Sequence, residues 1–196
     1  MSQSKKIILR IYFMISALFV LDCLLYYFKE ISLSGYYSDV VLSWLLLISS
    51  FAIIILFWKK LLAKLFLAAI IVTFAISIIA MMLPFYALLL SSTSLGLYQN
   101  KDLNENYRAQ IVGYSVMVHP WLEIIEKKGL FEKRIIKCTD PQLMNDNLEI
   151  KIRTAKDILF KSETDSTLTL TLFYGGPNKT ITFNKNTGSI TAIKNN

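Results

Sequence analysis

The sequence predicts a membrane protein of mixed α and β structure: three transmembrane helices followed by a small antiparallel β domain, a sandwich or an open barrel. Three observations predict it. The 196 residues are 54% hydrophobic, with a mean hydropathy of +0.48, and the apolar residues gather in the first half instead of being dispersed as in a soluble domain. Residues 1–97 carry seven Lys/Arg and three Asp/Glu, whereas residues 98–196 carry fourteen and eleven. From Tyr98 onward, short runs rich in β-branched and aromatic residues alternate with turn residues.

The first span is expected over 7–28, interrupted by Arg10 and Asp22. The second, 40–58, contains no charge, and the third covers 65–84, with apolar residues continuing past Pro84 to Leu90. Each approaches the ~20 residues a helix needs to cross the hydrocarbon layer. A backbone removed from water must satisfy its own hydrogen bonds, so such runs are expected as helices. The first is too long for the apolar core of a signal peptide, and no small-x-small site closes it. Pro84 is expected to kink the third helix or mark its exit.

The flanks set the expected orientation. Lys5, Lys6 and Arg10 precede or open the first span, and Lys59, Lys60 and Lys64 lie in "WKKLLAK" between the second and third. The intervening loop, 29–39, holds one lysine with Glu30 and Asp39. The high, low, high distribution of bases puts the N-terminus and the lysine loop in the cytoplasm. Lys5, Lys6, Lys59, Lys60 and Lys64 thus read as topology anchors, with Phe57 and Trp58 as an interfacial aromatic pair. Three crossings of the plasma (inner) membrane then leave the C-terminal half outside. The expected organisation is a three-helix region over 1–90, a linker over 91–97 and an extracytoplasmic β domain over 98–196.

Two features of the spans invite a functional reading. Asp22 is the one acid inside a span, and an intramembrane carboxylate is a candidate for ion or proton coupling. It lies roughly two turns from the outer end of its helix, within reach of the surface or of a neighbouring serine. Ala69, Thr73 and Ser77 recur every four residues, a stripe of small side chains that lets helices pack closely. Ser43, Ser49 and Ser50 of the second helix are candidates to meet it, and a partner's helix is the alternative.

In the second half, strands are expected at 110–118, 121–126, 130–138, 148–154, 157–162, 167–174, 179–183 and 189–193. "KKG" at 127–129 closes a hairpin in which Gly129 supplies positive φ. "TLTLTLFY" alternates strictly, with Leu168, Leu170 and Leu172 on one face and Thr167, Thr169 and Thr171 on the other. "EIIEKKGLFEKRIIK" suggests cross-strand Glu–Lys pairs on a wet face. About 100 residues of β structure can bury a core without crosslinks.

The chemistry-bearing residues are few. Cys23 and Cys138 lie in different regions, and two cysteines make no zinc site. Cys138 is expected as a small buried hydrophobe and His119, the single histidine, as part of a turn. Asp140, Asp146 and Glu149 lack the spacing and the glycine of a calcium loop. No phosphate-binding, nucleophile-elbow or metalloprotease motif is present. An enzyme, a cofactor and a metal are therefore not expected. Nor is nucleic-acid binding, because the bases lie beside spans or are interleaved with acids.

The remaining expectation is a protein that touches membrane lipid and meets a protein partner outside the cytoplasm. One form is an immunity protein that neutralises a secreted, membrane-acting toxin; another is an accessory subunit of a larger membrane complex. A transport component using Asp22 is a third.

Overall fold

The computed structural model describes residues 3–79, 90–91, 93–114, 118–143 and 151–195. It divides into two compact units, Met1–Ser94 and Leu95–Asn196. Pro84 lies outside the described residues, as do Asp146, Glu149 and the first half of the strand expected at 148–154.

The N-terminal unit is helical. Helix α1, Gln3–Lys29, has 27 residues and buries none of its side chains. A helix that is apolar all round and unburied suits a nonpolar solvent, not a protein core. Glu30 ends it with φ 58, and its N–H reaches Tyr26 O at 3.1 Å. A short extended segment β1, Ile31–Leu33, leads into helix α2, Tyr36–Leu56. Helix α3, Leu61–Ile79, follows after a tight turn in which the Lys60 N–H bonds Phe57 O at 2.8 Å.

α1 and α2 are long and apolar enough to cross a membrane, whereas the described apolar stretch of α3, Leu61–Thr73, is shorter. The helices pack through Ser50 and Ile54 of α2 and Ala63 of α3, all buried. The rings of Tyr12 on α1 and Phe66 on α3 meet edge to face at 6.5 Å.

The C-terminal unit is built from antiparallel strands β2 (Leu97–Asp102), β3 (Tyr107–Val112), β4 (Trp121–Lys128), β5 (Phe131–Cys138), β6 (Asp157–Glu163), β7 (Thr167–Phe173), β8 (Lys179–Asn184) and β9 (Ile190–Asn195). They form two sheets, one with the order β5-β4-β3-β2 and the other β6-β7-β8-β9. Alternation decides the inner faces. Ala109, Ile111, Leu122, Ile124 and Ile136 of the first sheet meet Ile158, Leu168, Leu170, Leu172, Ile181 and Phe183 of the second in one core.

Several expected elements move. β2 occupies residues assigned to the linker and to its first neighbour: its exposure alternates, but its sequence LYQNKD is too polar to signal a strand. The strand expected at 110–118 begins earlier, at Tyr107, because the Asn104 side chain accepts from the Asn106 and Tyr107 N–H groups at 2.9 and 2.7 Å and turns the chain there. Residues 152–154, expected to be extended, form a 3-10 turn instead. Ile152 docks into the core from this turn, and its N–H is taken by Asp140 of the short helix α4, Asp140–Leu143. The C-terminal meander has four strands, because β6 pairs along β7. The hairpin turn at Gly129 forms with φ +67, opposing Lys128 to Phe131.

Candidate interaction surface

The strict Leu/Thr alternation of β7 sends its leucines into the core and its threonines to the other face. The β7–β8 register then sets Thr169 opposite Thr182 and Thr171 opposite Thr180. Their hydroxyls touch at 3.1 and 2.9 Å, so each pair satisfies part of its own hydrogen bonding. Leu159 of β6 faces Thr171, and Ala192 of β9 faces Thr182. Leu159 is 40% exposed and Phe173, at the end of the β7 row, 38%. The result is an outward sheet face of threonine, leucine, alanine and phenylalanine without charge at its centre.

Charge sits at the margins. Asp157 pairs with Lys101 at 2.7 Å, and that ammonium holds its carboxyl below the ordinary carboxylate range. Lys194 stands on the outer strand opposite Thr180. The β6 register skips Lys161 at a bulge, and a bulge with a lysine blunts an edge strand against unwanted pairing.

The outer face of the other sheet is chemically different. Glu123, 2% exposed, accepts from Trp121 Nε1 and Gln110 Nε2 at 2.8 Å each and from Arg134 Nη1 at 3.0 Å. Arg108 donates to Gln110 and Asn100 at 2.7 and 3.0 Å and pairs with Glu132. Lys137 lies 4.4 Å from the centre of the Trp121 ring. The charged hairpin sequence was expected to present Glu–Lys pairs to water. The register does set Glu123 opposite Lys137, Glu126 opposite Lys133 and Glu132 opposite Lys127, but Glu123 and Glu132 are buried with arginine partners, because a guanidinium offers several donors and is more weakly hydrated than an ammonium. The lysines keep the wet end, with Lys127 bonding Asp102 and Lys128 bonding Glu126 at 2.7 and 2.9 Å. The alternating charge run signalled pairing, but nothing in its one-dimensional pattern separated these buried acids from exposed ones.

A second group of buried polar side chains closes one end of the core. Lys179 is fully buried, and its Nζ bonds Leu143 O at 2.7 Å. Burial, aided by the charge of Asp140, pushes the Cys138 thiol up to about 12. Burial also raises the Tyr174 hydroxyl, with Asp140 and Cys138 adding to the shift. A thiol held neutral in this way is inert as a nucleophile, so the group works as packing.

The other residues singled out in the sequence are spread apart. Asp22 stands on α1 close to the Leu33 backbone of β1. Ser43 bonds Asp39 O at 2.9 Å, and Ser49 and Ser50 bond Leu46 O at 2.9 and 2.8 Å, so the α2 serines satisfy themselves on their own helix. Ala69 and Thr73 stand exposed, while α3 turns Ala63, Phe66, Leu67 and Ile70 inward; the Ser77 side chain lies outside the described residues. Lys6, Lys59, Lys60 and Lys64 are exposed, and Lys5 is partly so. His119 is exposed in the loop before β4. Among the described residues no three His, Cys, Asp or Glu side chains gather as metal ligands. No protein family model, no curated protein and no solved structure matches the chain.

Proposed function

We propose that this is an integral membrane protein that binds a protein partner through the outward face of the β6–β9 sheet. The observation that carries the reading is the uncharged centre of that face, with Leu159 and Phe173 about two-fifths exposed beside the threonine pairs. The centres of protein interfaces are depleted in charge and enriched in aromatic residues, with polar groups at the rim. Asp157, Lys101 and Lys194 supply such a rim.

In this reading α3 joins α1 and α2 as a third span. The lysines at 5, 6, 59, 60 and 64 hold the N-terminus in the cytoplasm, and the β domain stands outside the plasma (inner) membrane. An immunity-type role follows as its concrete form: the domain captures a secreted toxin at the bilayer where the toxin inserts. The warrant is the architecture, which brings a binding face to that place.

The test is recovery of partners with the tagged full-length chain from its native membranes. Thr169→Lys with Thr171→Lys places two charges at the centre of the face without altering the core. The expected outcome is at least a tenfold loss of a single stoichiometric partner, with the unfolding midpoint changed little. Unchanged recovery contradicts the reading.

A second reading has its own observation. Ala69 and Thr73 are exposed on α3, and small residues on an unburied span let another protein's helix approach closely. The chain is then an accessory subunit of a membrane complex, and Ala69→Leu, not the threonine changes, releases the partner.

A further inference from the structure

Six cations lie toward one end of the helical unit: Lys5, Lys6 and Arg10 on α1, Lys59 and Lys60 in the α2–α3 turn, and Lys64 in the first turn of α3. In sequence they are two clusters about fifty residues apart. In the structure they are one. Lys5 Nζ lies 5.9 Å from the centre of the Phe57 ring, which brings the first turns of α1 to the α2–α3 turn. The Tyr12–Phe66 ring contact at 6.5 Å holds α1 against α3 one to two turns further along. The acids of residues 3–79 are Asp22, Glu30 and Asp39, near the opposite ends of α1 and α2. None of the six cations forms an ion pair among the described residues. Five carry exposed side chains, and Lys5 is half-buried against Phe57.

We infer that this end of the helical unit is a binding surface for anionic phospholipid headgroups. Four to eight bases beside a membrane helix attract anionic lipids, each contributing on its own account. Here the approach of α1 to the α2–α3 turn adds convergence: two chain segments offer their ammonium groups to the same small area. Arg10, about a turn deeper, meets phosphates by extending toward the interface. Exposed Trp58, Leu61 and Leu62 border the lysines and rest among acyl chains. The partner is a lipid phosphate at the bilayer surface, not a soluble anion, because the cations are strung along an interface and do not enclose a pocket. The inference does not depend on what the β domain binds.

The experiment uses the full-length chain in neutral detergent micelles, titrated with brominated phosphatidylglycerol or brominated phosphatidylcholine. Quenching of Trp58 is isolated by subtracting a Trp58→Phe control. The expected result is half-maximal quenching at a much lower mole fraction of the glycerol lipid than of the choline lipid. Each lysine removed should weaken the preference roughly fivefold. Lys59→Gln with Lys60→Gln therefore loses most of it, and Lys59→Arg with Lys60→Arg retains it. Raising the salt should diminish the preference in the wild-type chain. Equal quenching by the two lipids, or a preference that survives the glutamine changes, overturns the inference. Inorganic phosphate competing at millimolar concentration also overturns it, since it would mark a soluble-anion site. If the glutamine variant does not fold, the wild-type comparison of the two lipids and the arginine variant still decide.

Discussion

At the residue scale, three positions carry testable consequences. Gly188 has φ +68, and a Cβ there would sit 2.8 Å from the backbone oxygen of Ile135. Gly188→Ala therefore combines an unfavourable backbone conformation with a contact that no side chain can relieve. It should cost about 2 kcal/mol or more, read as a lowered thermal midpoint of the full chain in detergent. Asp157 has its acidity strengthened chiefly by the Lys101 hydrogen bond. A depressed carboxyl stabilises the fold above the ordinary carboxylate range, and that contribution is lost as pH falls through its lowered folded value. Both partners are 41% exposed, so Asp157→Asn should cost less than ~1 kcal/mol at pH 7. The difference from wild type should vanish in strong acid, as paired unfolding curves at the two pH values would reveal. Arg108→Met leaves Glu132 buried without its cation, which costs about 3–5 kcal/mol. Adding Glu132→Leu should recover most of that loss, because the remaining pair is apolar and shape-filling; a double variant no more stable than the single one would show that the pair is not coupled.

At the element scale, legibility followed periodicity. β7 was readable because Leu and Thr alternate without exception, and α1 and α2 because their apolar runs are long. β2 was not readable: LYQNKD owes its strand state to pairing with β3, a tertiary cause with no local signal. The 3-10 turn at 152–154 depends on Asp140 capping the Ile152 N–H from twelve residues away. The candidate surface was half legible. The threonine row could be drawn from sequence, but its partners Thr180, Thr182, Leu159 and Ala192 required the register. The buried Glu123 and Glu132 could not be foreseen, since burial of a charge depends on which cation lies across the sheet. Asp22 belongs to this scale too. It stands on α1 close to the Leu33 backbone of β1. Asn keeps its size and an acceptor oxygen, so under a structural role Asp22→Asn should leave expression and unfolding nearly unchanged. Abolition of activity in that variant, measured as protection or partner recovery, would favour ion coupling instead.

At the scale of the whole molecule, the charge distribution and the fold describe one division of labour. The helical unit is apolar around its circumference, with cations gathered at one end. The β unit has an ordinary soluble charge density, a single core and two dissimilar outer faces. One face buries a network of arginine, glutamate, glutamine and tryptophan, which fixes the first sheet. The other is uncharged at its centre, with Lys194 and Asp157 at its margins. The cost of taking an ammonium out of water explains why the core tolerates Lys179 only where its Nζ donates a hydrogen bond to Leu143 O. The account rests on that uncharged face meeting a protein. The most direct measurement is site-specific photo-crosslinking of the full-length chain in its native membranes, with the reactive group at position 171 and a control at position 186 in the β8–β9 turn. The account predicts one abundant crosslinked protein from position 171 and little from position 186. Lipid adducts alone, or equal and diffuse products from both positions, would contradict it.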